Sequence, residues 1–128
     1  MHNILLMGAG KIGEMIAVML AQSGSYNVTV ADNNEAALGR IAAHKNIDTC
    51  VVDAADEAAM AHVLSDKFAV LSACPFAMTR LIAPAAHKAG VHYFDLTEDV
   101  QSTRLTKTLA KTGTSAFIPQ CGLAPGFI

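Results

Sequence analysis

Short apolar runs alternate along the chain with longer stretches whose apolar positions recur at three- and four-residue spacing. The first run, Asn3–Met7, ends at a glycine and predicts a strand. Lys11–Ser23 predicts a helix with Ile12, Met15, Ile16, Met19 and Leu20 on one face, stopped by Gly24 and Ser25. Asn27–Ala31 predicts a second strand. Asp32 then caps a second helix running to His44, with Glu35 at capping-box spacing. Asp48–Val52 predicts a strand, Asp56–Leu64 a helix, Phe68–Ser72 a strand, and Ala77–Ala89 a helix ended by Gly90. Val91–Phe94, Glu98–Lys111 and Ser115–Ile118 complete the series as strand, helix and strand.

Six strands alternating with five helices on short connections imply βαβ crossovers and a parallel sheet covered on both faces. The expected fold class is therefore α/β: one Rossmann-like, doubly wound domain over residues 1–128, with a six-stranded parallel sheet. The last residues, Gln120–Ile128, form a glycine-bearing loop ending on Phe127 and Ile128. Termini are usually polar and frayed, so the chain is expected to be the N-terminal part of a longer, two-domain protein.

Composition narrows the function. The 128 residues suit one domain, and 52% hydrophobic against 16% charged residues excludes a disordered tail. A net charge of −2 gives no basic field for a nucleic-acid backbone, and 5% aromatics with no Trp give no stacking platform, so no nucleic-acid partner is expected. The longest apolar run, Met15–Ala21 between Glu14 and Gln22, is far short of the ~20 residues of a bilayer span, and with no basic n-region or long h-region before the first glycine no secretory signal is expected. Cys50, Cys74 and Cys121 form no C-x-x-C pair, and His2, His44, His62, His87 and His92 show no ligand spacing, so no metal is expected. Buried free thiols in the cytoplasm are the expectation.

The strongest chemical signal is Gly8-Ala9-Gly10-Lys11-Ile12-Gly13, set between a predicted strand and a predicted helix. Gly8 makes the tight turn, Gly10 lets a pyrophosphate approach the backbone, and Gly13 lets the helix pack closely on the sheet. The helix start then offers unpaired N–H groups and about half a positive charge. Lys11 and Ile12 belong to the same turn, Lys11 adding a screened charge at its rim. Asp32, 19 residues past Gly13, stands where an acidic residue accepts the adenosine ribose hydroxyls. Its carboxylate would repel a 2′-phosphate, Asn33 and Asn34 bring no cation, and Arg40 is two helical turns further on. NAD is therefore expected over NADP.

Asp53 and Ala54 follow the third strand, where they either meet the adenine or cap the helix at Asp56. Ala73, Cys74 and Pro75 end the fourth strand and line the expected path of the pyrophosphate and nicotinamide ribose. No local general base supports a nucleophilic role for Cys74. In the fifth strand Tyr93 and Asp95 share one face, and Asp95 is expected to cap the helix at Glu98, with Thr97 beside it near the nicotinamide end.

Together Gly8–Gly13, Cys74-Pro75-Phe76, the run Ala89–Asp95 and the loop Gly122–Gly126 resemble the N-terminal domain of the saccharopine dehydrogenase family, which includes lysine 6-dehydrogenase-like enzymes. The resemblance covers essentially the whole chain. It implies an NAD(P)-dependent oxidoreductase acting on C–N bonds of amino acids by hydride transfer. It also implies a second domain, beyond the Gly122–Gly126 loop, that supplies much of the amino-acid substrate site and mediates a homodimer. Catalytic residues are not identifiable here, and the chain alone is not expected to be active. The stretch through Cys50 also resembles nucleotide-sensing modules that regulate potassium transport, which have no need of Pro75 or of the Gly122–Gly126 loop. A short-chain dehydrogenase site is excluded, because Tyr26 and Tyr93 are followed four residues later by Val30 and Thr97 and not by lysine.

Overall fold

The computed structural model describes residues 2–74, 76–95 and 117–118. The elements run β1 His2–Met7, α1 Lys11–Gln22, β2 Tyr26–Asp32, α2 Glu35–Ile41, β3 Ile47–Val51, α3 Glu57–Leu64, β4 Ala69–Ser72, α4 Phe76–Ala89, β5 His92–Asp95 and β6 Phe117–Ile118. The sheet order is β3-β2-β1-β4-β5-β6 and every pairing is parallel. Five strands of four to seven residues carry it. Of the expected sixth strand, the described residues Phe117 and Ile118 form a two-residue pairing on β5. Residues 115–116 and the expected helix Glu98–Lys111 lie outside the described residues.

Because strand side chains alternate, β1 feeds two cores. Leu6 joins Val28, Val30, Ala17, Leu38 and Ile41 beneath α1 and α2. Leu5 and Met7 join Val70, Met60, Leu64, Ile82 and Tyr93 beneath α3 and α4. Apolar residues on both faces of a strand are what a parallel sheet covered on two sides requires. Burying each such large side chain contributes on the order of 1.5–3 kcal/mol. Among the described residues, no helix is long and apolar enough to cross a membrane.

Two expected local features differ. The face of α1 defined by Ile12, Met15 and Met19 is turned to solvent, at 47%, 56% and 64% exposure. The helix docks instead through Gly13 and Ala17, with Ile16 and Leu20 half-buried. Close approach to the sheet needs small residues, so the helix rotates its bulkier stripe outward. The cap of α2 is Asn34, not Asp32: the Asn34 side chain accepts from Ala37 N at 3.2 Å, and the helix starts two residues later than expected. Asp32 remains in β2 because its carboxylate is engaged elsewhere.

The strand order reverses between β1 and β4, so the loops leaving those two neighbours diverge. Gly8 N donates to Ala31 O at 2.9 Å and Ala73 N to Met7 O at 2.9 Å, which extends the ladder just past the strand ends. The resulting crevice at the carboxyl ends of the strands is where open α/β sheets bind ligands.

Candidate functional site

The glycine turn sits at that crevice. Gly8 has φ +114°, a conformation that disfavours any side chain, and a Cβ there would come within 3.0 Å of Ala73 O and 3.2 Å of Cys74 Sγ. Gly13 is tighter still: a Cβ would stand 2.0 Å from Gly8 O. The first turn of α1 is thus seated on the carbonyl of the residue that opens the loop. Gly10 differs, since a Cβ built there meets nothing within 4 Å. It is the N-cap of α1, and no side chain caps the helix among the described residues. The first-turn amides therefore face a space that a Cβ would partly fill, beside the positive end of a 12-residue helix. That arrangement suits a diphosphate. Lys11 and Ile12 are both exposed at its rim.

Asp32 closes the other side. Its Oδ2 accepts from Ala9 N at 2.7 Å and its Oδ1 from Asn34 N at 3.0 Å. Two backbone amides hold the carboxylate in one orientation at the end of β2, and each oxygen keeps lone-pair capacity for a further donor such as a ribose hydroxyl.

Arg40, set aside on sequence distance, also reaches this turn. It lies six residues past the cap of α2, about 9 Å along the helix. Its side chain spans that gap, and Nη2 donates to Ala9 O at 3.4 Å. Nε lies 3.5 Å from Glu14 Oε1, while the other carboxylate oxygen of Glu14 contacts His44 Nε2 at 2.8 Å. The hydrogen bond with His44, followed by the charge of Arg40, holds the Glu14 carboxyl below its usual value against a partial cost of desolvation. A Glu–Arg contact between two helices leaves no local spacing signal, which is why sequence reasoning passed over it.

The other expected site residues are less uniform. Asp53 is exposed and makes a tight turn, Oδ1 accepting from Ala55 N at 2.9 Å. It does not cap α3; Asp56 does, accepting from Ala59 N at 3.1 Å. Ala54 is buried and packs into the core under α3 and α4. Ala73 packs against the opposite core. Cys74 is half-buried, and its thiol is pushed up to about 11 by burial and by the nearby charges of Asp32 and Asp95, with a hydrogen bond to Ser72 opposing them. A thiol so raised stays protonated at neutral pH, which agrees with setting aside a nucleophilic role. Cys50 and Cys74 are free and half-buried rather than fully buried. Pro75, Thr97 and Cys121 lie outside the described residues. Asp95 is fully buried, and its Oδ2 accepts from the Tyr93 hydroxyl at 2.5 Å; the helix it was expected to cap lies outside the described residues.

A cavity of about 730 Å³ lies between α3 and α4, lined in part by Met60, Leu81 and Pro84. None of its lining residues belongs to the glycine turn. The backbone geometry of that turn, not cavity size, marks the site.

Residues 4–116 match the family described as the saccharopine dehydrogenase NADP binding domain. The chain belongs to that family. The family description names NADP, against the preference for NAD expected from Asp32. The match runs well past Cys50, into the half of the chain that a potassium-transport regulator leaves unexplained. Among solved structures, the apo saccharopine dehydrogenase (L-Glu forming) from Saccharomyces cerevisiae is similar with TM-score 0.87 and 23% identity, over 98% of this chain and 28% of the yeast chain. Pen from Bacillus thuringiensis is similar with TM-score 0.80 and 14% identity, over 92% of this chain and 49% of that one. A short-chain dehydrogenase/reductase from Veillonella parvula DSM 2008 in complex with NADP is similar with TM-score 0.61 and 12% identity, over 73% of this chain and 46% of that one. At such identities the likeness shows the fold, and this family member spans less than half the length of each of the three. None of the curated proteins matches the chain.

Proposed function

We propose that this chain is the cofactor-binding domain of a saccharopine dehydrogenase-family oxidoreductase acting on C–N bonds of amino acids by hydride transfer. One observation carries the proposal: an α1 N-terminus without a side-chain cap, shaped by Gly8, Gly10 and Gly13 and flanked by the anchored carboxylate of Asp32. A dinucleotide bound there would supply the hydride-transferring nicotinamide ring.

The chain's own residues bind and orient. The first-turn amides of α1, including those of Lys11, Ile12 and Gly13, receive the diphosphate, and Gly10 keeps the approach open. Asp32 orients the adenosine ribose. Asp53, with the backbone of Ala54, borders the adenine. Ala73, Cys74 and Pro75 border the path toward the nicotinamide, where the protonated Cys74 adds no charge. The amino-acid substrate and the groups that act on it come from a second domain in this proposal, which also forms a homodimer. The free cysteines suit a reducing, cytoplasmic setting.

Titration calorimetry tests the cofactor site. The protein is expected to bind NAD or NADP at millimolar ligand or tighter, and Asp32→Asn to weaken NAD more than NADP. It is expected not to turn over amino acids by itself. Absence of binding heat with both nucleotides would overturn the proposal.

A further inference from the structure

Two opposite charges meet at a single residue of the glycine turn. Asp32 Oδ2 takes the amide of Ala9 at 2.7 Å, and Arg40 Nη2 gives to the carbonyl of the same residue at 3.4 Å. An acid and a guanidinium thus border the corner where the adenosine ribose would lie. Building on the dinucleotide site proposed above, we infer that Arg40 is a specificity-determining residue that lets this corner accept a ribose 2′-phosphate. The site then takes NADP as well as NAD although Asp32 is present.

The positions directly after β2, Asn33 and Asn34, are neutral, and Asn34 is committed to capping α2. A cation for a 2′-phosphate therefore has to come from further along. Arg40 meets the requirement in three ways. Its contacts to Ala9 O and Glu14 Oε1, at 3.4 and 3.5 Å, are long, so the guanidinium is tethered without being locked. They engage Nη2 and Nε, and a guanidinium carries five N–H donors in all, in a fork suited to phosphate. The side chain is 58% exposed, so it can swing toward a ligand without opening the core.

Glu14 sets the strength of the tether. It is shared, because His44 holds its other oxygen at 2.8 Å. A carboxylate already engaged by His44 holds Arg40 less tightly than one facing Arg40 alone. On the opposite side, the two backbone amides that hold Asp32 partly offset its charge. The corner is therefore nearly balanced. Asp32 serves a free 2′-hydroxyl and Arg40 serves a phosphate in its place.

The test is calorimetric titration of wild type, Arg40→Gln and Arg40→Lys with NAD and with NADP. Wild type is expected to bind the two nucleotides within about tenfold of each other. Arg40→Gln is expected to weaken NADP about tenfold while NAD changes less than about twofold, and Arg40→Lys to recover part of the loss, since a single ammonium keeps the charge but not the fork. In wild type, added salt is expected to weaken NADP more steeply than NAD, a readout that needs no variant. Loss of NAD and NADP affinity by the same factor in Arg40→Gln, or equal salt slopes, would overturn the role of Arg40 and leave the dinucleotide site standing. So would a wild type that binds NAD and not NADP. Failure of both nucleotides to bind wild type would remove the site itself.

Discussion

Three glycines of one turn meet three different demands, and substitution separates them. A methyl at Gly13 would press on the Gly8 carbonyl at 2.0 Å, and backbone has little room to yield. Gly13→Ala is expected to cost about 3 kcal/mol of stability, read as an earlier urea midpoint. A methyl at Gly10 meets nothing within 4 Å. Gly10→Ala is expected to fold with an unchanged midpoint and to bind dinucleotide more weakly in the same titration, because the methyl occupies space left for the diphosphate. The glycine motif was legible in the sequence because its demands are local to one strand–turn–helix junction. Asp32 was legible by its distance from that junction, but its second duty was not: the bond to Ala9 N joins residues 23 apart in sequence. Arg40 was illegible for the same reason, since its contacts to Ala9 and Glu14 exist only once α1 and α2 lie side by side.

At the level of elements, hydrophobic periodicity located the described helices and five strands, with ends shifted by a few residues. It could not choose the buried face of α1. The apolar stripe of Ile12, Met15 and Met19 is a valid helical face, yet Gly13 and Ala17 win the core side because closeness to the sheet matters more there than bulk. The start of α2 shows how two roles compete for one residue. Asp32 has the right chemistry for a cap, but the amide of Ala9 draws it into the turn, and Asn34 takes the cap in its place. Asn34→Ala is expected to destabilise the fold by about 1 kcal/mol, measured by chemical denaturation. Its effect on dinucleotide affinity should be small, because the Asn34 amide that holds Asp32 is backbone and survives the substitution.

For the whole molecule, the alternation of strands and helices carried the architecture: parallel strands, helices on two faces and a reversal of strand order beside β1. The chemistry placed at that reversal follows from topology as much as from any motif, because the crevice exists wherever neighbouring loops leave in opposite directions. The two faces have a further consequence for oxidative chemistry. Met7 and Met60 lie within the core beneath α3 and α4 at 3% and 1% exposure, whereas Met15 and Met19 stand out on α1 at 56% and 64%. Thioethers oxidise according to their accessibility. Mild peroxide is expected to convert Met15 and Met19 to sulfoxides well before Met7 and Met60, as peptide mass mapping would reveal. One helix surface would thereby change from greasy to polar while that core stays intact.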